Sequence, residues 1–156
     1  HAEFLDLIKE VTQRVGEEVP GLGAVLRTAV VVHARFRARQ EVSDLVKELV
    51  LSLQNLAKIL VKLQTKEGLQ AEVRVAQGLA SYETAESDRT TSQKLKQALA
   101  DAGERLRKVP NKRPQEAMEE VAKIEKEIDH QIQCTQLEDR LDSEILSLQL
   151  QLKAEK

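Results

Sequence analysis

The sequence predicts an all-α fold: an elongated antiparallel three-helix coiled-coil bundle preceded by a short N-terminal amphipathic helix. Three observations carry that prediction. Apolar residues recur at three- and four-residue steps through three long segments, which is the spacing of a coiled-coil seam. The 156 residues include no Trp, one Tyr and two Phe, and 32% are charged. A core must therefore be built from aliphatic side chains along narrow seams rather than around aromatic rings. Finally, Lys108-Val109-Pro110-Asn111-Lys112-Arg113-Pro114 forms a sharp turn between the second and third long segments. Its two prolines lack backbone N–H groups, so they stop one helix and start another.

The segments follow in order. Residues 1–19 carry Phe4, Leu5, Leu7, Ile8, Val11 and Val15 on one face of a short helix, with Asp6, Glu10, Glu17 and Glu18 against Lys9 and Arg14 on the other. An in-plane membrane helix is normally basic on its polar face, so this acidic one is expected to pack on the bundle or on a partner chain. Pro20-Gly21-Leu22-Gly23 breaks the pattern. The bundle proper is expected over 22–156, with helices at about 24–66, 69–109 and 115–154, each reaching roughly 60 Å at 1.5 Å per residue.

Within the first of these helices, Val42, Leu45, Leu49, Leu53, Leu56, Leu60 and Leu63 make the seam. Upstream, Val25, Leu26 and Ala29–Val32 are apolar on more than one side. No second strand-like segment exists to pair with the valines, so they read as a helix covered from two directions. Gly68 permits the next reversal, although a helix can continue through it at a cost of about 1 kcal/mol. The second helix is well patterned at its ends, by Leu69 and Val73 and by Leu95, Leu99, Ala102, Leu106 and Val109. Its middle, Ala80–Gln93, has almost no seam residues and reads as a weak continuous helix or a break. The third holds Met118, Val121, Ile124, Ile128 and Ile132, then takes a five-residue step to Leu137, followed by Leu141, Ile145, Leu148 and Leu152.

Composition and motifs narrow the function. A net charge of −2 excludes a generally basic nucleic-acid binder, so any attraction to phosphate must be local. One Cys cannot form an internal disulfide, and a reducing, cytoplasmic setting with peripheral membrane attachment is expected. No run of about 18 apolar residues exists to span a bilayer. Opening on His1 rather than Met reads as the start of an excised fragment. His130 and Cys134 stand one turn apart with Glu138 beyond, but a structural zinc site needs about four converging ligands, and no metal is expected. Neither a phosphate-cradling glycine loop nor a nucleophile motif is present, so no catalytic residue, cofactor or small-molecule substrate is expected.

What the sequence does offer is charge at the turn and apolar excess in the seams. Arg105, Arg107, Lys108, Lys112 and Arg113 cluster at the tip with only Glu104 among them, the pattern of an anion-binding surface. Lys58, Lys62 and Lys66 recur every fourth residue and are candidate contacts along one flank. More Leu, Ile and Val is present than one thin rod can cover, so a dimer is expected, with Val25, Val30, Val32, Leu45 and Leu49 as candidate interface residues.

The local text resembles a known family. Tyr82-Glu83-Thr84-Ala85, and Asn111-Lys112-Arg113-Pro114 followed by Gln115-Glu116-Ala117-Met118-Glu119-Glu120-Val121, are similar to stretches of BAR domains, particularly the sorting-nexin type, over the C-terminal half of the chain. The resemblance implies a crescent-shaped homodimer, or a heterodimer with a related helical chain, that binds anionic bilayers through basic tips and a concave face. The other reading is a coiled-coil scaffold subunit that binds partner helices in a trafficking, cytoskeletal or mitochondrial organising complex without touching lipid.

Overall fold

A computed structural model describes residues 1–78, 86–135 and 138–155. Six α-helices account for most of them: α1 (Ala2–Val11), α2 (Leu22–Arg35), α3 (Gln40–Ala76), α4 (Glu86–Arg107), α5 (Pro114–Thr135) and α6 (Glu138–Glu155). A π-helical turn (Thr12–Gly16) extends α1, and a 3₁₀ turn (Val109–Asn111) follows α4. Among the described residues there is no strand, so the all-α class holds. Within that class, six helices pack against one another.

The expected helix over 24–66 is two helices. Phe36 and Arg39 leave the helical region, at φ −110°, ψ 26° and φ −109°, ψ 97°, although no Gly or Pro stands there. Tertiary packing makes the break. Phe36 and Val32 are buried, and the Ser43 hydroxyl meets His33 Nε2 at 2.7 Å across the turn, so α2 folds back along the start of α3. The three valines are helical, as the absence of a partner strand required.

The expected reversal at Gly68 also moves. α3 runs through that glycine to Ala76, and the chain turns at Gln77–Gly78, where Gly78 takes φ +78°. That left-handed conformation suits a residue without Cβ. A Cβ at Gly68 would meet nothing within 4 Å. The glycine therefore carries only its own propensity cost, which the packing of Leu63 and Val73 on either side outweighs. Residues 69–76 thus belong to α3, and α4 begins at Glu86. The questioned stretch 80–93 is helical from Glu86 onward, while 80–85, with the Tyr82–Ala85 match, lies outside the described residues. Leu137, on the far side of the heptad skip after Ile132, also lies outside the described residues.

Side-chain pairs set the directions. Lys62 pairs with Asp142 and Lys66 with Glu144, while burial and the nearby Glu48 carboxylate push the Glu125 carboxyl up, so α5 and α6 run parallel to α3 in one nearly constant register. α4 is antiparallel to α5, with Arg105 reaching Glu120 and Glu127. At the base α2, α3, α4 and α5 pack together, with α1 laid over α2 and α3. Farther along, α6 packs on α3 and on no other described helix.

The four-helix base changes the dimer argument. Val25, Val32 and Leu49 are buried by the chain's own helices, and Val30 and Leu45 are partly buried against the same core. The apolar excess that called for a second copy at these residues is absorbed internally. Large apolar side chains left in solvent lie elsewhere: Leu5, Val31, Leu51, Val75, Leu146 and Leu150.

Candidate functional site: a basic end

The turn between α4 and α5 is held from inside. Leu106, Val109 and Ala117 are fully buried beneath it. Backbone N–H groups of Lys108, Lys112 and Ala117 donate to the carbonyls of Arg105 (3.2 Å), Val109 (2.9 Å) and Arg113 (2.8 Å). Pro110 and Pro114 sit where their missing N–H groups cost nothing, Pro114 as the first residue of α5. With its apolar residues pointing inward, the turn has only its polar side chains to present. Lys108 and Arg113 are exposed and Lys112 is half-buried. Arg107 is exposed, 3.3 Å from Glu104 one turn back.

Arg105 does a different job. Its Nε donates to Glu120 Oε1 at 2.7 Å and its Nη1 to Glu127 Oε2, stapling α4 to α5. The hydrogen bond from Arg105 is the chief reason the Glu120 carboxyl titrates below its ordinary range, with the positive charges of Arg105, Lys112 and Lys123 adding to it. The same hydrogen bond raises the guanidinium in turn. An arginine so engaged is a strut between helices rather than part of an open anion-binding surface.

The predicted flank is likewise internal. Lys62 Nζ lies 2.9 Å from Asp142 Oδ1, and Lys66, buried, forms an ion pair with Glu144. Both fasten α6 to α3. Lys58 is half-buried on the same helix.

A second set of cations, outside the predicted site residues, lies beside the turn. Arg37 and Arg39, both exposed, lie in the α2–α3 turn, and Arg39 lines one shallow cleft with Arg113, Pro114, Gln115, Met118 and Glu41. Two turns distant in sequence therefore share one end of the molecule. Arg35 ends α2 beside them, its guanidinium 5.2 Å from the Phe36 ring centre. The available signal was the alternation of Arg35, Arg37 and Arg39. Three arginines at every second residue cannot share one helix face, and they mark where a helix gives way.

Two other polar clusters complete the picture. Cys134 Sγ approaches His130 Nε2 at 3.4 Å on the exposed face of α5. Among the described residues no group of three or more His, Cys, Asp or Glu side chains is placed to hold a metal ion. His33, 2% exposed, stacks on Phe4 with ring centres 4.0 Å apart, touches Ser43, and approaches His1 Nδ1 at 3.1 Å. It knots α1, α2 and α3 together. Burial holds its pKa down, helped by the positive charges of the N-terminus, Lys47 and Arg37.

Comparisons with protein-family models, with curated proteins and with solved structures find no match. No described helix is long and apolar enough to cross a membrane.

Proposed function

We propose that the chain is a non-catalytic helical interaction module, BAR-like in its basic tip, that binds anionic membrane surfaces through the end formed by the α2–α3 and α4–α5 turns. The supporting observation is that Arg39 and Arg113 line one cleft, which brings the α2–α3 turn, carrying Arg37, beside the α4–α5 turn, carrying Arg107, Lys108 and Lys112. Basic side chains beside an anionic leaflet contribute about 1 kcal/mol each, so six on one face suffice for reversible attachment. A dimer of two copies, or with a related helical chain, would double that attachment through avidity.

Sedimentation with vesicles tests the reading. The protein should pellet with strongly anionic vesicles at low salt, stay in solution with neutral ones, and release as salt shortens the screening length toward about 8 Å. Replacing Arg37, Arg39, Lys112 and Arg113 with Glu should abolish pelleting without changing helicity. Wild-type protein that stays in the supernatant with anionic vesicles at low salt sinks the proposal.

A second reading, a scaffold that binds partner helices, is favoured by a different observation. Leu146 and Leu150 stand one turn apart and exposed on α6, with Val75 exposed on neighbouring α3. Retained binding of partner helices by the charge-reversed variant would support it.

A further inference from the structure

At two helix junctions among the described residues, cations on one helix are answered by carboxylates on the other. Arg105 of α4 meets Glu120 and Glu127 of α5, and Lys62 and Lys66 of α3 meet Asp142 and Glu144 of α6. One groove breaks the pattern. α2 and α4 lie side by side and approach so closely that a Cβ on Gly103 would stand 2.9 Å from Val25 Cγ2. Between them runs an open groove of about 640 Å³ with Ala24, Thr28 and Val31 on one wall and Ala100 and Gly103 on the other. Val31, the last α2 residue lining the groove, is 54% exposed. Arg27 and Arg107 line the groove with the single acid Glu104, which Arg107 already contacts. Arg35 and Lys96 stand one helical turn beyond Val31 on α2 and before Ala100 on α4. Among the described residues Arg27, Arg35 and Lys96 enter no ion pair.

We infer that this groove receives an acidic amphipathic helix from a partner protein. Its small apolar residues would seat on Ala24, Val31 and Ala100, and its carboxylates would meet Arg27, Arg35, Lys96 and Arg107. The occupant is chosen by complementarity. A floor of Ala, Gly and Val between two helices admits a third helix as a ridge in a groove. A bilayer surface cannot follow the floor down to Val25, which is only 5% exposed. Cations on both walls favour a helix that carries acids, as α5 does toward Arg105 and α6 toward Lys62 and Lys66. The chain's own acidic helix, α1, is already committed, with Phe4 and Val11 fully buried in the core. The groove from Gly21 to Arg35 is about 20 Å long, which a partner helix of about four turns would fill. The inference stands apart from the membrane reading and uses different residues, apart from Arg107.

A fluorescently labelled synthetic helix of about 16 residues is the probe, with Leu and Ala on an i, i+3, i+4, i+7 stripe and Glu on both flanks. Three controls accompany it: a scrambled peptide of the same charge, a version with Lys for Glu, and the Val31→Glu and Arg27→Glu/Lys96→Glu variants. These residues are exposed or rim the groove, so helicity should not change. Wild type should bind the acidic stripe by anisotropy, and each variant should weaken it about tenfold or more, as loss of a central contact does. The double variant should instead accept the Lys peptide. Equal binding of the scrambled peptide, indifference to Val31→Glu, or no binding at all overturns the inference. So does a concentration-dependent dimer that Val31→Glu dissociates, since a second copy would then cover the groove. Vesicle binding by Val31→Glu should match wild type, which separates failure here from failure of the basic end.

Discussion

The base and the arm of this molecule use the same kind of sequence and reach different ends. In the base, seam residues of four helices meet, and Leu22, Leu26, Leu49, Leu53, Leu95, Leu106 and Ile124 are fully buried. In the arm, among the described residues, only α3 and α6 pair. There Val73 is buried but stands outside the continuous core, and Val75, Leu146 and Leu150 are exposed. A heptad seam therefore specifies which stripe of a helix is apolar, while the number of neighbours sets how much of it leaves water. The arm compensates with charge, through Lys62–Asp142 and Lys66–Glu144. Such ties give direction and register more than stability when partly exposed.

Core truncation should separate the two regions most strongly. Leu53→Ala, in the base, should cost about 2–5 kcal/mol in urea unfolding, because it leaves a cavity among four helices. Leu148→Ala, half-buried in the arm, should cost about 1 kcal/mol or less. Native-state amide exchange should show the same order, with α6 opening before the Val46–Leu60 stretch of α3. Equal costs and equal protection would mean that base and arm unfold as one unit.

Acid should loosen the base at one corner. His33 is held below its ordinary value of 6.5 by burial and by the charges of the N-terminus, Lys47 and Arg37. The unfolded chain takes up a proton near 6.5 while the folded one still resists it. Stability is thus complete above that value and declines as pH falls toward the folded pKa. His33→Gln, which keeps a donor for Ser43, should remove that decline in pH-dependent thermal melts. Glu120, held below its ordinary 4.5 by Arg105, adds a further loss only in more acidic solution. A slope between neutral pH and pH 5 that survives His33→Gln would assign the effect elsewhere.

The smallest expected effects oppose each other in sign. Gly68→Ala lies in open space on α3 and should stabilise by about 1 kcal/mol through helix propensity. Gly103→Ala gains the same propensity but drives a methyl onto Val25 at 2.9 Å. Overpacking of that kind costs about 1–3 kcal/mol, so the net change should be destabilising. Thermal melts of the two variants moving in the same direction would show that α2 and α4 can separate without penalty.

Sequence alone determined the helical class, the acidic N-terminal helix, the proline turn and the sides of each helix that turn inward. Those properties are local: periodicity reads out a face, and a proline ends a helix wherever it stands. Four outcomes were left to tertiary structure. The helix expected over 24–66 breaks at Phe36–Arg39, although nothing in those residues forbids a helix, because burying Phe36 and joining His33 to Ser43 outweighs one lost turn. α3 passes Gly68 because packing on both sides offsets a small propensity cost. Lys62 and Lys66 turn inward because α6 brings acids to them. Arg39 meets the cleft beside Arg113 only because α3 and α5 begin at the same end and run in parallel. Charge has no periodicity that announces its partner, so whether a cation faces water, a carboxylate or a membrane is decided by which helix lies next to it.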